Sequence, residues 1–214
     1  MKNLFLHEVH ERAGANFIEV RDQQIPADYG DIGAELDAAT KNVALLDRSY
    51  LGKIAVKGPD ALDLLNRIST NDLQYLAVGT MCDTVFASPK GRLIDYCRVI
   101  NSGDDLILIG SFFHVNHLIE WINRFIILED VQVTDVSADY SWLTLIGPHS
   151  KIFLGQLTNK TLSDSEEAIW LDIKGKNFPV LKNVSFKYPA YNFFFKNTDA
   201  RSIISVLLDH LNSF

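Results

Sequence analysis

The sequence predicts an α+β fold, and three observations carry that prediction. Short apolar or alternating segments recur between groups of turn-forming residues. Other segments place apolar residues three and four apart, the spacing of one helix face. The two kinds do not alternate in the regular strand–helix–strand order that a doubly wound parallel sheet requires. Strands are therefore expected to pair mainly as antiparallel neighbours, with helices packed on the resulting sheets.

Taken in order, residues 31–42 read as a helix that follows a loop containing Pro26 and Gly30, with Asp31 placed to cap its first turn. Gly52 to Lys57 reads as a strand. Gly58-Pro59-Asp60 then opens a helix whose Ala61, Leu62, Leu65 and Ile68 share one face. Cys82–Ala87, Leu93–Ile100 and Asp105–Gly110 read as a three-stranded meander. Its separators, Ser88-Pro89-Lys90-Gly91 and Asn101-Ser102-Gly103-Asp104, are turn chemistry, the first suiting a type I turn. A helix is expected over residues 112–127 with Phe112, Val115, Ile119, Ile122 and Ile126 as its apolar stripe. Val131–Val136 and Ser141–Ile146 read as strands. Gly147-Pro148 repeats the pattern of Gly58-Pro59 and starts a short helix with Ile152, Phe153 and Leu157 inward. Strands return over 168–196. An amphipathic helix from Ala200 to Leu211 follows, carrying Ile204, Leu207, Leu208 and Leu211. Since no Gly, Ser or Pro linker divides the chain, residues 1–214 are expected to form one unit with a soft boundary near 157–166.

Composition narrows the class of function. The 214 residues hold 27 acidic and 20 basic side chains, a net charge of −7, which argues against nucleic-acid binding through clustered cations. With 47 % hydrophobic residues the chain has material for a core without disulfides or metal. Cys82 and Cys97 lack the spacing of a zinc or redox pair and read as small core residues. No run approaches the ~20 apolar residues of a membrane span, and the first residues reach charge before a signal core forms, so a cytoplasmic protein without membrane contact is expected.

Candidate chemistry is sparse. His114, His117 and Glu120 fall along one side of a helix at ligand spacing, but off its apolar stripe, so they read as a wetted face and no metal site is expected. Nucleophile elbows, Walker loops and dinucleotide glycine patterns are missing from the sequence. The densest group is Ser88 to Val99, where Lys90 and Arg92 stand in a turn and Asp95 lies within a strand. Strict alternation puts Asp95 with Leu93, Cys97 and Val99 on one face, and Tyr96 with Ile94, Arg98 and Ile100 on the other. A carboxylate among apolar neighbours must find donors, as a structural hub or as a site residue.

These motifs in order resemble a known family. Gly14-Ala15-x-Phe17, Ile25-Pro26-Ala27-Asp28-Tyr29-Gly30-Asp31, Glu35, Leu46-Asp47-Arg48-Ser49, Lys57-Gly58-Pro59-Asp60-Ala61, Leu64-Leu65, Thr70-Asn71-Asp72, Leu76 and Gly79 resemble the folate-binding domain of the glycine-cleavage T-protein, an aminomethyltransferase, and its YgfZ-type relatives. Ser88-Pro89-Lys90-Gly91-Arg92 is closer to the YgfZ-type branch, and Leu145-Ile146-Gly147-Pro148 is similar to the family's Leu-x-Gly-Pro. The resemblance covers about residues 10 to 155. It implies an aminomethyltransferase-type folate-binding fold and a tetrahydrofolate pocket used in one-carbon metabolism.

By the same resemblance, the family's critical Asp after the glycine turn falls at position 96, which here is tyrosine. Asp95, one step earlier, is the catalytic candidate if a bulge re-phases the strand. Leu51, Tyr96, Tyr188 and Tyr191 are candidate pocket walls, Asn71 lies in a family motif, and Lys90 with Arg92 could clamp the carboxylates of a folate tail. Tyr50 replaces the family's His, Phe186 to Asn192 lacks its pterin-pairing glutamate, and the later Arg-bearing segment and carboxy-terminal barrel have no counterpart in these residues. The Lys-Gly-Cys motif of YgfZ-type proteins linked to iron–sulfur maturation is absent as well, since no cysteine follows Cys97. The resulting expectation is a tetrahydrofolate-binding relative without one-carbon transfer of its own. Two alternatives stand beside it. One is an active transferase or oxidase subunit that works with a partner chain supplying the missing segments, a reading suggested by analogy of size with the small T-protein-like subunit of multimeric sarcosine oxidase. The other is an assembly or scaffold protein without folate.

Overall fold

A computed structural model describes residues 2–163 and 166–214. In chain order its elements are β1 (Lys2–Asn3), α1 (His7–Arg12), β2 (Asn16–Val20), β3 (Gln23–Asp28), α2 (Ile32–Lys41), β4 (Ala44–Asp47), β5 (Gly52–Lys57), α3 (Ala61–Ile68), β6 (Met81–Ala87), β7 (Leu93–Asn101), β8 (Leu106–Gly110), α4 (Val115–Asn123), β9 (Gln132–Asp135), β10 (Tyr140–Ile146), α5 (Ser150–Thr158), β11 (Ala168–Ile173), β12 (Lys176–Asn183), β13 (Ala190–Lys196) and α6 (Asn197–Ser213). This is the α+β architecture the sequence predicts, with five-stranded sheets that are antiparallel throughout.

The chain divides into two compact units, one made of Met1–Tyr50 with Asp139–Phe214, the other of Leu51–Ala138. The soft boundary expected near 157–166 falls inside the first unit, between α5 and β11, and residues 164–165 lie outside the described residues. The divisions sit elsewhere because β4 pairs with β10, which draws the early and late parts of the chain into one sheet.

The first unit holds the sheet β11-β12-β13-β10-β4 and the small sheet β1-β3-β2. Its core packs Leu143, Leu145, Phe153, Phe193, Ile203 and Leu207 at full or nearly full burial. The second unit holds the sheet β6-β7-β8-β5-β9, with Ile54, Val56, Leu64, Leu65, Phe86, Val99, Leu108 and Ile122 buried beneath α3 and α4. The two sheets share one spatial strand order, although β9 follows its meander in the chain while β4 precedes β10. In each, a strand runs into Gly-Pro and a helix, a three-stranded meander follows, and a short strand closes the far edge. The recurrence of Gly58-Pro59 at Gly147-Pro148 is the sequence trace of that shared plan.

Several local expectations are corrected. Pro26 lies inside β3, not in a loop. Asn16 pairs with Asp28 and Phe17 with Pro26, which leaves Ala27 as an extra residue, and a bulge is where a sheet accepts proline. The helix expected over 112–127 is α4, shorter at both ends. Beyond Asn123 the backbone tightens into three-residue turns, with the Phe125 amide on the Ile122 carbonyl. Its most buried residues are Leu118, Trp121 and Ile122. In α5, Leu154 joins Phe153 in the core while Ile152 faces outward.

The loop after α4 is fastened by Glu129. One of its carboxylate oxygens accepts from the amides of Ile127 (2.7 Å) and Leu128 (3.0 Å), and the other from Arg67 on α3 (2.6 Å). The Ile127 amide first, and then Arg67, hold the Glu129 carboxyl down at about 2, below its ordinary 4.5. A depressed carboxyl stabilises the fold above its unfolded value, and that contribution is lost as pH falls through the folded value. Glu129→Gln should therefore lower the urea midpoint at pH 7 and make progressively less difference as pH falls from 4.5 toward 2. A gap between the two midpoints that stays constant with pH would contradict the assignment.

Candidate functional site

The β6–β7 hairpin carries most of the candidate residues. Its register pairs Val85 with Tyr96 and Asp83 with Arg98, so these four side chains share one face of the sheet. Phe86, Cys97 and Val99 occupy the opposite face and join the core under α3 and α4. A bulge does occur, with Ala87 opposite Leu93 and Phe86 opposite Asp95, so the extra residue is Ile94. Because it precedes Asp95, every residue from Asp95 onward keeps its alternation. Asp95 stays on the core side and Tyr96 on the other.

Asp95 is 4 % exposed and well supplied with donors. The Ser111 amide (3.0 Å) and hydroxyl (2.8 Å) and the Tyr96 amide (2.9 Å) all donate to its carboxylate. Gly110 permits that closeness, since a Cβ there would lie 2.7 Å from the Asp95 Oδ2. Burial, reinforced by the Asp95 charge, pushes the neighbouring Cys97 thiol up, so Cys97 remains an inert apolar side chain.

Tyr96 is half-exposed, and its hydroxyl donates to the Asp83 Oδ2. The Arg98 Nε donates to the Asp83 Oδ1 at 2.9 Å. Desolvation, followed by the hydrogen bond to Asp83, raises the Tyr96 phenol above its ordinary value, which keeps it a proton donor. Asn71 fastens the same strand, its amide donating to the Thr84 hydroxyl (3.1 Å) and its side chain to the Asp83 carbonyl. In the hairpin turn, Ser88 accepts from the Gly91 amide (2.8 Å) and Gly91 has a φ of +71°, while Lys90 and Arg92 are exposed. Leu51 is half-buried beside β5, and its carbonyl accepts from the fully buried Lys53 amine at 2.9 Å. Asn71, Lys90, Arg92 and Tyr96 thus gather around one hairpin.

Tyr188 and Tyr191 belong to the first unit. Tyr188 is half-buried with the Lys187 ammonium 5.6 Å from its ring centre. Tyr191 is 5 % exposed and part of that unit's core. On α4 the His114 and His117 rings stand 6.3 Å apart, His114 at the start of the helix.

One cluster was not predicted. In the first unit, His10 is buried and placed between two partners, its Nδ1 2.8 Å from the Tyr29 hydroxyl and its Nε2 2.8 Å from the Asp47 carboxylate. Asp47 also accepts from the Ser49 amide at 2.8 Å. Burial first, then Asp47 and Glu35, push the Tyr29 phenol up to about 12. The three residues come from α1, the end of β4 and the turn after β3, and no local pattern in the sequence links them.

The fold defines a class, that of aminomethyltransferase-type domains. The solved structure of glycine cleavage system aminomethyltransferase T from Bartonella henselae superposes with a TM-score of 0.79 at 18 % identity, covering 97 % of this chain and 57 % of that one. Within that class the chain belongs to the GCVT N-terminal domain family, whose model matches residues 6–181. Among similar curated proteins is the aminomethyltransferase of Listeria monocytogenes serotype 4b (strain CLIP80459), 30 % identical over 159 residues, which are 74 % of this chain and 44 % of the relative. That of Halothermothrix orenii is 31 % identical over 163 residues, 76 % and 45 % respectively. The chain therefore spans about half the length of the curated relatives it matches. A chain of the heterotetrameric sarcosine oxidase from Corynebacterium sp. U-96 also shares the fold, with a TM-score of 0.58 and 20 % identity over 80 % of this chain and 85 % of that one.

Proposed function

We propose that this protein binds tetrahydrofolate and does not by itself transfer a one-carbon group. The observation that carries the reading is the parity of β7. Position 96 presents a phenol, and the adjacent carboxylate of Asp95 lies on the other face, occupied by Ser111 and the Tyr96 amide. On this reading Asp95 acts as a structural latch between β7 and the end of β8.

The donor set fits a reduced folate. Tyr96 offers a half-exposed ring beside a polar edge, which suits a planar heterocycle, and Lys90 with Arg92 offers cations to the tail carboxylates. A cytoplasmic setting within one-carbon metabolism goes with this reading, since two free cysteines suit a reducing compartment. The Ser88–Arg92 turn supports a place nearer the YgfZ-type branch.

Calorimetric titration with tetrahydrofolate or its 5-formyl derivative tests the reading, together with an assay of one-carbon transfer by the purified chain. Binding without transfer is expected. Absence of binding at millimolar ligand removes the folate reading and leaves a scaffold role. If the turn holds the tail, Lys90→Ala and Arg92→Ala should each weaken binding about threefold, more at low salt than at high salt. Unchanged affinity in the double variant would exclude the turn from the site.

A second reading is favoured by the likeness to a chain of a heterotetrameric oxidase, 85 % of which is covered. Here the protein acts as a subunit, and transfer activity appears only with a partner chain. Affinity purification from its native host distinguishes the two, because a stoichiometric partner that restores activity supports the second alone.

A further inference from the structure

We propose that Asp83 supplies the ligand-facing carboxylate of this domain, accepting a hydrogen bond from an N–H group of the reduced folate, with Tyr96 and Arg98 holding it in position. The inference rests on the folate reading and extends it to a residue that no sequence motif marks.

The argument begins with the sheet. Asp83 on β6 and Arg98 on β7 are direct cross-strand partners, and Tyr96 is two residues along the same face. The Arg98 side chain is 9 % exposed and that of Asp83 is 32 % exposed. The guanidinium is therefore the buried anchor and the carboxylate is the part that reaches outward. Arg98 takes Oδ1 and the Tyr96 hydroxyl takes Oδ2, so each carboxylate oxygen is held by its own donor. Asn71 grips the Asp83 carbonyl from the loop before β6. Backbone and side chain are thus both fixed before any ligand arrives, the arrangement that binding sites on rigid elements require.

A carboxylate offers about four acceptor positions, and the two side-chain donors to Asp83 use one on each oxygen. The outward positions suit an N–H donor. Next to them stands the half-exposed ring of Tyr96, an apolar face set beside an anchored acceptor. Amine and amidine edges of a planar heterocycle match that pair, because the ring takes the flat face and the carboxylate takes the N–H edge. Position 96 itself carries no acid, yet the neighbouring strand returns a carboxylate to the same face through the hydrogen bond from Tyr96.

Calorimetric titration of the full chain with 5-formyltetrahydrofolate tests this in the wild type, Asp83→Asn and Asp83→Glu, with circular dichroism to establish that each is folded. The wild type should bind, Asp83→Asn should weaken binding at least tenfold, and Asp83→Glu should weaken it several-fold because the carboxylate moves by one methylene. Should Asp83→Asn not fold, the charge-retaining Asp83→Glu decides alone. A folded variant of either kind that binds within twofold of a binding wild type overturns the role of Asp83 while leaving the folate reading intact. A wild type that does not bind overturns both.

Discussion

Gly58→Ala should destabilise the protein by about 3–5 kcal/mol, as should Gly147→Ala, against roughly 1 kcal/mol for Gly91→Ala. All three glycines have positive φ, at +116°, +132° and +71°. They differ in what an added methyl would meet. At Gly91 nothing lies within 4 Å, so only backbone strain counts. A Cβ on Gly58 would lie 1.9 Å from the Asp130 carbonyl oxygen, and one on Gly147 would lie 2.3 Å from that of Asn42. Both obstacles are backbone atoms just ahead of the edge strands β9 and β4, so relief requires shifting a strand that pairs with β5 or β10. Contacts beside each glycine resist that shift. Asp60 accepts from the Asp130 amide at 2.8 Å, and the His149 amide donates to the Asn42 carbonyl at 3.1 Å. Chemical denaturation measures the three variants in one series. A loss at Gly58 no larger than that at Gly91 would mean that the close approach is dispensable.

That same pair of glycines marks how far the sequence can be read. Gly58-Pro59 and Gly147-Pro148 announce a helix start in each unit, and the strands of the second unit are legible to within one residue at either end, while α4 is shorter than its apolar pattern. The meander strands mix apolar residues with Asp83, Asp95 and Arg98, and what delimits them is Ser88–Arg92 and Asn101–Asp104, where turn chemistry is strong. The start of the chain resists the same reading. β1 has two residues, β3 opens with Gln23-Gln24 and contains Pro26, and β4 spans four residues, too short for a period to emerge. Pairing is less legible still. Nothing local in Leu45 or Leu46 states that β4 joins β10, or that β9 joins β5, and these long-range pairings set where the units divide.

The candidate site divides along the same line. That Asp95 and Tyr96 face opposite ways follows from alternation alone, and the bulge at Ile94 leaves it standing. Their partners do not follow. Ser111 reaches Asp95 because β8 ends beside β7, and Asp83 reaches Tyr96 because the β6–β7 register sets them on one face. Both contacts join residues more than ten positions apart, and residue type by itself would not have selected either.

His10→Leu is expected to cost about 3–5 kcal/mol, because it strands the buried carboxylate of Asp47 rather than merely removing a contact. The Asp47 side chain is 2 % exposed, and without the imidazole its remaining partner among the bonds described is the Ser49 amide. Asp47→Asn in the His10→Leu background should recover part of that loss, since the stranded charge is then gone. Additive losses in the double-mutant cycle would show that the two residues act independently. Tyr29 gives the cluster an alkaline signature whose sign is fixed. A phenol raised to about 12 stabilises the fold below its ordinary value of 10.0, and that contribution disappears as pH climbs through the raised value. Wild-type stability should therefore fall over that interval, and Tyr29→Phe, less stable at neutral pH, should lack that part of the decline. If both proteins lose stability in parallel above pH 10, the phenol is not held up by its burial beside Asp47 and Glu35.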